Sequence, residues 1–245
     1  MADFFISDLH LKASREDLAE AFSRFVEQHL LPASRGNTLY ILGDFFDAWI
    51  GDDEDEPFYL GILETLRNWT DSGLTIYFMS GNRDFLVGEA FAAKTGVTLL
   101  AEEHLIALNR QPVLLMHGDS LCTDDTEYMG FRAQVRNVTW QQTVLQVPLA
   151  QRRVMAQQLR QQSQSMNATK AEDIMDVNAD AVNAVMAKHG VTCLIHGHTH
   201  RPKVHDLAVE GTEAKRYVLG DWDSHGWYIC ANEQGLSLHS FPIEA

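Results

Sequence analysis

Short apolar segments that each end in potential metal ligands recur along this chain at nearly constant spacing. They lead to Asp8-x-His10, Asp44, Asn82 and His117, and the steps from His10 onward are 34, 38 and 35 residues. Each step has about the length of one strand–crossover–strand unit. Because ligands in open α/β sheets bind at the carboxyl ends of strands, we expect these side chains to meet at one sheet edge.

The segments between these motifs predict an α/β fold with a largely central sheet, because apolar runs alternate with helical spacing. Strands are predicted at 4–6, 39–42, 76–79, 113–116 and 191–195. Helices are predicted at 17–31, 57–71, 84–95 and 171–189. The last part contains β-rich runs with glycine breaks, expected to be antiparallel, at 203–209, 216–219, 227–231 and 236–240.

The alternation stops after Asp119. Residues 124–170 have helical spacing and no strand-like run, which predicts a helical cap inserted between two parts of a catalytic core, 1–123 and 171–245. Six basic residues and one acidic residue lie in 126–171, whereas the whole chain of 245 residues has a net charge of -15. This contrast favours an anionic partner at the cap over a merely solvated helix surface. The overall acidity argues against general nucleic-acid binding.

The cysteines and the N-terminus predict a cytoplasmic protein. Cys122, Cys193 and Cys230 are few and far apart, as is usual in a reducing compartment. No basic segment precedes Phe4, and no run of apolar residues is long enough for a membrane span. We therefore expect neither a signal peptide nor a transmembrane helix.

Seven side chains with oxygen or nitrogen donors form the candidate metal site. They are Asp8, His10, Asp44, Asn82, His117, His196 and His198. Each alone is more often a turn or cap residue, but together and in this order they predict two metal ions. Ligands of this type without cysteine favour Mn, Fe, Zn or Co. Two such ions can activate water for hydrolysis of a phosphate ester or anhydride.

These motifs resemble the calcineurin-like metallophosphoesterases, whose pattern is D-x-H, G-D, G-N-H/R, H and G-H-x-H. The resemblance implies an αββα sandwich with two divalent cations and an inserted helical cap. It implies one cation held by Asp8, His10, Asp44 and His198. It implies the other held by Asp44, Asn82, His117 and His196, so that Asp44 bridges the two.

Arg83 stands where many members of that superfamily have histidine. An arginine stays charged and cannot act as a general acid, but it can stabilise phosphate oxygens. This favours a leaving group that needs no proton, such as the phosphate of a pyrophosphate bond. The alternative is that Arg83 only pairs with Asp84 or another acid.

Longer motifs resemble one branch of the superfamily, the UDP-2,3-diacylglucosamine pyrophosphatases of lipid A biosynthesis. These motifs lie at 6–11, 40–44, 49–53, 81–86, 117–125, 174–178 and 195–202. The resemblance implies attack of water on the UMP-side phosphorus, release of UMP and 2,3-diacylglucosamine 1-phosphate, and Mn²⁺ as the metal. It also implies peripheral attachment to the cytoplasmic face of the inner membrane. The alternative is a soluble nucleotide pyrophosphatase or phosphodiesterase of the same fold.

The same resemblance implies which residues contact the substrate. They are Asn82, Arg83, Asp125, Ser163, Asn167, Lys170 and His198. The spacing of Ser163, Asn167 and Lys170 places them on one face if that stretch is helical, and Arg160 one turn earlier would join them. An ordinary polar helix face is the alternative. The apolar cap residues either line a chamber for acyl chains or pack against the core, and 52–56 is expected to be a solvated acidic loop.

Overall fold

Two β-sheets packed face to face form the centre of the protein. The computed structural model describes residues 2–33, 36–167 and 176–244. Within these ranges the first sheet contains six strands and the second contains five. The largely central single sheet expected from the alternation is therefore replaced by two sheets, as the family resemblance implies.

The first sheet contains the strands that were predicted from the N-terminal apolar runs. Its parallel strands are β1 (Asp3–Ile6), β2 (Thr38–Leu42), β3 (Thr75–Met79) and β4 (Thr98–Leu99). Two antiparallel strands continue it beyond β1, namely β10 (His225–Asn232) and β11 (Gly235–Pro242). Because β1, β2 and β3 run parallel, the residues that follow them emerge at one edge of the sheet.

The second sheet places two further candidate motifs at the same end of the molecule. Its parallel strands are β6 (Gln111–Leu115), β7 (Cys193–His196) and β9 (Thr212–Val218). Hairpins add the antiparallel edge strands β5 (His104–Leu108) and β8 (Lys203–Val209). The strand order of this sheet is β5-β6-β7-β9-β8. Strand β5 was not predicted from the sequence, and its alternating burial shows that one of its faces is partly exposed.

Helices cover the outer faces of both sheets. On the first sheet lie α1 (Glu16–His29), α2 (Pro57–Asp71) and α3 (Glu89–Thr95). The second sheet is covered by α7 (Ala179–His189). A separate buried cluster between the sheets includes Phe5, Leu42, Leu115 and Ile195. The resulting order of helix, sheet, sheet and helix confirms the predicted αββα sandwich.

Two predicted helices begin later than expected, for different physical reasons. Helix α3 begins at Glu89 rather than at residue 84, because the Asp84 carboxylate accepts hydrogen bonds from backbone N–H groups of its own loop and of the loop after β2. Helix α7 begins at Ala179, where the side chain of Asn178 accepts hydrogen bonds from the first turn. Of the earlier predicted residues, 171–175 lie outside the described part of the chain.

The predicted cap segment contains three helices, α4 (Thr126–Val135), α5 (Val138–Leu145) and α6 (Leu149–Asn167). Across residues 124–167 the structure shows no strand, in agreement with the sequence pattern. The exact boundaries of the cap stay a prediction. Within the described ranges, no helix is both long and apolar enough to cross a membrane.

The arginines of the cap point toward the acidic body rather than into solvent. Arg152, whose side chain is only 3% exposed, pairs with Asp53 of the loop before α2. Arg153 pairs with Glu54 and Asp55 of that loop.

Two more cap arginines contact the core from α4. Arg132 Nε donates to Asp119 at 2.9 Å, and Arg136 donates to the carbonyl of Gly81 at 2.9 Å. The positive charge of α4 and α6 therefore attaches the cap to the core. The inference of an anionic partner at the cap stays a prediction. The loop at 52–56 keeps two of its carboxylates mostly exposed, as expected of a solvated loop, although they also pair with cap arginines.

Candidate metal centre and substrate cleft

Five non-glycine residues at the strand ends adopt left-handed backbone conformations. They are Asp8, His10, Asp44, His198 and His200, with φ between 50° and 69°. Such conformations cost free energy for residues with a β-carbon, and they concentrate at functional sites. The strained loops turn side chains sharply away from the strand direction, and this turn gathers polar groups from the ends of three strands.

Two glycines make room for the carboxylates of the cluster. A β-carbon on Gly81 would collide with the carboxylate of Asp44, and one on Gly197 would collide with Ser7 and Asp8. A residue with a β-carbon therefore fits at neither position unless the cluster shifts. The glycines of the G-N and H-G-H motifs are thus explained by close approach of the backbone.

The first group of convergent donors comprises Asp8, His10 and His200. Nε2 of His10 lies 3.3 Å from Nε2 of His200, and the same His200 nitrogen lies 3.3 Å from Oδ1 of Asp8. The donor atoms of all three residues lie within 4.8 Å of one another. Two imidazole nitrogens and a carboxylate oxygen thus converge on one point, as ligands of a cation do.

Asp8 supports the interpretation of this group as a cation site. It is fully buried, and its Oδ1 atom makes no hydrogen bond of ordinary geometry within the described structure. A buried carboxylate oxygen without a partner is costly, and a bound cation would remove that cost. Burial acts to raise the pKa of Asp8, but the contact with His200 and the nearby imidazole charges hold the pKa well below its usual value. The residues present therefore fit a divalent metal ion.

The second group comprises Asp44, Asn82, His117 and His198. Nδ1 of His117 donates to the carbonyl of Leu42 at 2.8 Å, so the lone pair of a neutral His117 lies on Nε2. That Nε2 atom lies 2.9 Å from Oδ1 of Asn82, which in turn lies 2.9 Å from Nδ1 of His198.

Two carboxylates adjoin these neutral donors. Oδ1 of Asp44 lies 3.6 Å from Nε2 of His117. Asp8, Asp44 and His117 also place their donor atoms within 4.8 Å of one another. Asp8 thus adjoins the second group as well as belonging to the first. The prediction that Asp44 bridges the two ions stays a prediction.

His196 is the one predicted ligand that the structure does not bring to this cluster. Its Nδ1 donates to the carbonyl of Gly197 at 2.8 Å, and its Nε2 lies 3.3 Å from the guanidinium of Arg216. Burial, together with the charge of Arg216, lowers the pKa of His196 to about 3. It is a neutral core histidine with both nitrogens engaged, which leaves neither for a cation.

We therefore revise the predicted ligand sets, in which the two histidines of this motif become His198 and His200 instead of His196 and His198. His198 joins Asn82 and His117, whereas His200, which the sequence analysis missed, joins Asp8 and His10. The sequence did contain a signal for His200. The family pattern G-H-x-H is matched by Gly197-His198-Thr199-His200, and the earlier His-Gly-His spacing shifted the assignment.

Asp84 holds the two loops that carry Asp44 and Asn82. Its carboxylate accepts hydrogen bonds from Gly81 N at 2.7 Å and from Phe45 N at 2.8 Å, with longer contacts to two neighbouring amides. Burial, with the nearby charge of Asp44, raises the pKa of Asp84 to about 7. Asp84 is thus a structural support of the cluster and does not pair with Arg83.

Arg83 pairs with carboxylates at the edge of the cluster. Its Nε lies 3.2 Å from Asp44 Oδ2, and one terminal nitrogen lies 3.4 Å from Asp47 Oδ1. Asp47 also pairs with Lys12 at 3.6 Å and with Arg160 of the cap at 2.6 Å. Arg83 retains 28% of its side-chain exposure, so it can reach a ligand in the cleft.

A cleft of about 570 Å³ connects the metal cluster with the cap. Its polar end includes Asp44, Asn82, Arg83, Asp125, Arg160 and His198. Its apolar lining comes partly from the cap helices, through Phe131, Trp140, Met155 and Leu159. The cleft thus combines metal ligands, cations and an apolar wall in one cavity.

The predicted substrate contacts in the cap are placed only in part. Asp125 is buried, lines the cleft and caps helix α4 by accepting from Tyr128 N at 3.0 Å. Ser163 and Asn167 lie in α6, but their side chains fall outside the described residues, as does Lys170 entirely. Their shared role stays a prediction.

Comparison with known proteins agrees with this geometry. The chain belongs to the calcineurin-like phosphoesterase family, whose sequence model matches residues 4–202. It is 52% identical to the UDP-2,3-diacylglucosamine hydrolase of Cellvibrio japonicus, over 99% of this chain and 100% of that protein. It is 51% identical to the protein of the same description from Chromohalobacter salexigens, over 100% of this chain and 99% of that protein.

Among solved structures, an archaeal phosphodiesterase aligns over 99% of each chain, with 11% identity and a TM-score of 0.49.

Proposed function

We propose that this protein hydrolyses the pyrophosphate bond of UDP-2,3-diacylglucosamine to UMP and 2,3-diacylglucosamine 1-phosphate. The observation that carries the proposal is the identity of about half of all residues, over the whole chain, with hydrolases described by that substrate. The geometry supports it, because the cluster of metal ligands opens into a cleft with an apolar wall. The proposed product places the enzyme in lipid A biosynthesis.

The chain's own residues would hold two divalent cations at this cluster. Asp8, His10 and His200 suit one cation, and Asn82, His117 and His198 suit the other, with Asp44 beside both. Bound there, the cations would activate the attacking water and offset negative charge on the phosphate. Mixed carboxylate, amide and imidazole donors without sulfur suit Mn²⁺, which we propose as the metal.

Arg83 would bind the phosphate that departs or its neighbour. The guanidinium is held at the cleft by Asp44 and Asp47 and can exchange these partners for phosphate oxygens, which match its planar donors. Because arginine cannot supply a proton, the leaving group must depart as a stable anion. Attack of water on the UMP-side phosphorus satisfies this requirement, since a phosphate monoester leaves.

The cap would bind the acyl-glucosamine part of the substrate. Phe131, Trp140, Met155 and Leu159 face the cavity, so the apolar cap residues serve more than packing against the core. Apolar side chains that line a cavity gain free energy when a hydrocarbon chain displaces water. Asp125 and Arg160 stand at the polar end, where the sugar and phosphate would lie.

A single assay tests the substrate assignment. Purified protein with Mn²⁺ should release UMP from UDP-2,3-diacylglucosamine in detergent, and Asp44→Asn should abolish release. Asp71→Asn is the matched control, because Asp71 is an exposed carboxylate that pairs with Arg67 on the far end of α2. Turnover of the lipid by Asp44→Asn at the wild-type rate would contradict the proposed centre.

A soluble nucleotide pyrophosphatase or phosphodiesterase of the same fold remains the alternative. It predicts hydrolysis of ADP-ribose or bis-p-nitrophenyl phosphate at a higher kcat/KM than that of the lipid. It also predicts that Met155→Ser and Leu159→Ser in the cavity wall leave kcat/KM unchanged. The proposed function predicts that both changes raise KM for the diacylated substrate alone.

We also propose peripheral attachment to the cytoplasmic face of the inner membrane, through apolar residues of the cap. Val138, Leu145 and Val154 are 65%, 39% and 52% exposed, and all three lie on cap helices. The cap arginines pair with the core, so they leave the apolar residues as the better membrane contact. Flotation with lipid vesicles should fall for Val138→Ser with Val154→Ser, and it should depend only weakly on salt.

A further inference from the structure

Asp221 stands behind the histidine that the sequence analysis missed. It follows strand β9 in the loop that leads to β10, and its Oδ2 atom lies 3.6 Å from Nδ1 of His200. The other ring nitrogen of His200 faces the cluster, 3.3 Å from both Asp8 Oδ1 and His10 Nε2. One imidazole is therefore set between a buried carboxylate at the centre and a second carboxylate outside it.

The loop that carries Asp221 is fixed to both sheets. Leu219 N donates to His196 O at 2.8 Å, and Trp222 N donates to Asp8 O at 3.0 Å. The Trp222 side chain is buried in the core, where its ring contacts that of Phe25 at 5.8 Å between centroids. The backbone on each side of Asp221 is thus tied to strand ends that carry the metal cluster.

Asp223 offers an internal comparison within the same loop. Its Oδ1 atom accepts from Arg15 at 2.7 Å, and its side chain is 70% exposed. In contrast, within the described part of the chain the single ion pair of Asp221 is with His200. Two acidic residues of one loop therefore have different partners, and only Asp221 faces a candidate ligand.

We propose that Asp221 is a positioning residue that orients His200 for metal binding. By accepting the proton on Nδ1, directly or through one water, it keeps the lone pair of His200 on Nε2 and turned toward Asp8 and His10. No residue has been assigned this role above. The inference rests on the proposed metal centre but not on the identity of the lipid substrate.

The expected effect is on one of two metal ions. Loss of a carboxylate that supports a metal-binding histidine weakens metal affinity by about 10–100-fold. Asp221→Ala should therefore weaken the binding of one Mn²⁺ by about this factor and leave the other Mn²⁺ unchanged. Asp221→Asn should lose less, because its carbonyl oxygen still accepts a hydrogen bond, and Asp221→Glu should recover part of the affinity.

Titration calorimetry of the metal-free full-length protein with Mn²⁺ measures both affinities, and electron paramagnetic resonance reports whether two bound ions remain coupled. Asp223→Ala is the matched control for a loosened loop and should bind both ions as wild type does. The melting temperature of metal-free Asp221→Ala should equal that of wild type, which separates positioning from folding.

Two results with the variants would overturn the inference. The first is wild-type affinity for both ions in Asp221→Ala. The second is a loss of affinity in Asp223→Ala equal to that in Asp221→Ala. Wild-type protein that bound two Mn²⁺ but released no UMP would contradict the proposed substrate and leave the role of Asp221 standing. Wild-type protein that bound fewer than two ions would refute both the centre and the role of Asp221.

Discussion

Two histidines only four residues apart should respond differently to replacement by glutamine. One replacement should lower stability, and the other should weaken metal binding. The changes are His196→Gln and His200→Gln, which both keep a neutral polar side chain of similar length. His196 is fully buried with both nitrogens engaged, and His200 retains 33% of its side-chain exposure at the candidate centre.

For His196→Gln the structure predicts a loss of stability with normal metal binding. Two hydrogen bonds are disturbed, to Gly197 O and with Arg216, and each contributes about 0.5–1.5 kcal/mol. The free energy of unfolding should thus fall by about 1–3 kcal/mol, which lowers Tm by about 2–12 °C for a chain of this size. The number of bound Mn²⁺ ions should stay at two.

For His200→Gln we expect the reverse, namely normal stability with weaker metal binding. The metal-free protein should melt within about 2 °C of wild type, because the side chain that is removed is partly exposed and lies outside the apolar clusters. The affinity for one Mn²⁺ should fall by more than the roughly 10–100-fold that loss of a supporting group costs. Calorimetric titration and thermal melts with and without chelator provide both readouts. Loss of an ion in His196→Gln, or two ions of wild-type affinity in His200→Gln, would refute the revised ligand sets.

Three further outcomes follow from the contacts described. An ion present at about 100 times its Kd stabilises the folded protein by about 2.7 kcal/mol. Removal of the metals with chelator should therefore lower Tm by about 5–11 °C per ion. An unchanged Tm would argue against metal binding. Asp53→Asn should leave the buried guanidinium of Arg152 without its carboxylate and should speed amide hydrogen exchange in α6, whereas Asp206→Asn, at an exposed pair, should not. Burial raises the pKa of Asp119, but nearby histidine and arginine charges outweigh it and hold the pKa below its usual value, so this carboxylate stabilises the fold above about pH 3.8 and the gain is lost at lower pH. Urea unfolding should therefore show a weaker pH dependence below about pH 4 for Asp119→Asn than for wild type.

The strands and their functional ends were predictable because two simple periodicities determine them. Apolar runs of three or four residues predicted β1, β2 and β3 to within a residue. The return of ligands to one edge followed from parallel strands alone. Helix α2 matched its predicted range because Pro57 opens it and the apolar spacing continues to its end.

The errors arose where tertiary contacts override local patterns. Left-handed turns at His198 and His200 reverse the direction of successive side chains, so spacing along the chain did not identify which histidines face the cluster. The helical spacing near Asp84 is real, but its carboxylate accepts hydrogen bonds from amides of its own loop and of the distant loop after β2. The ion pairs between the cap arginines and the core were not predicted, because their acids, such as Asp53, lie about a hundred residues earlier in the chain.

The donor groups of the cluster come from both β-sheets. Asp8, Asp44 and Asn82 follow strands of the first sheet, whereas His117 and His200 follow strands of the second. An ion bound between them would link the two β-sheets directly and would join segments that are almost two hundred residues apart in the chain. Metal binding would then stabilise the packing of one sheet against the other, so that the same ligands would serve both catalysis and the stability of the fold.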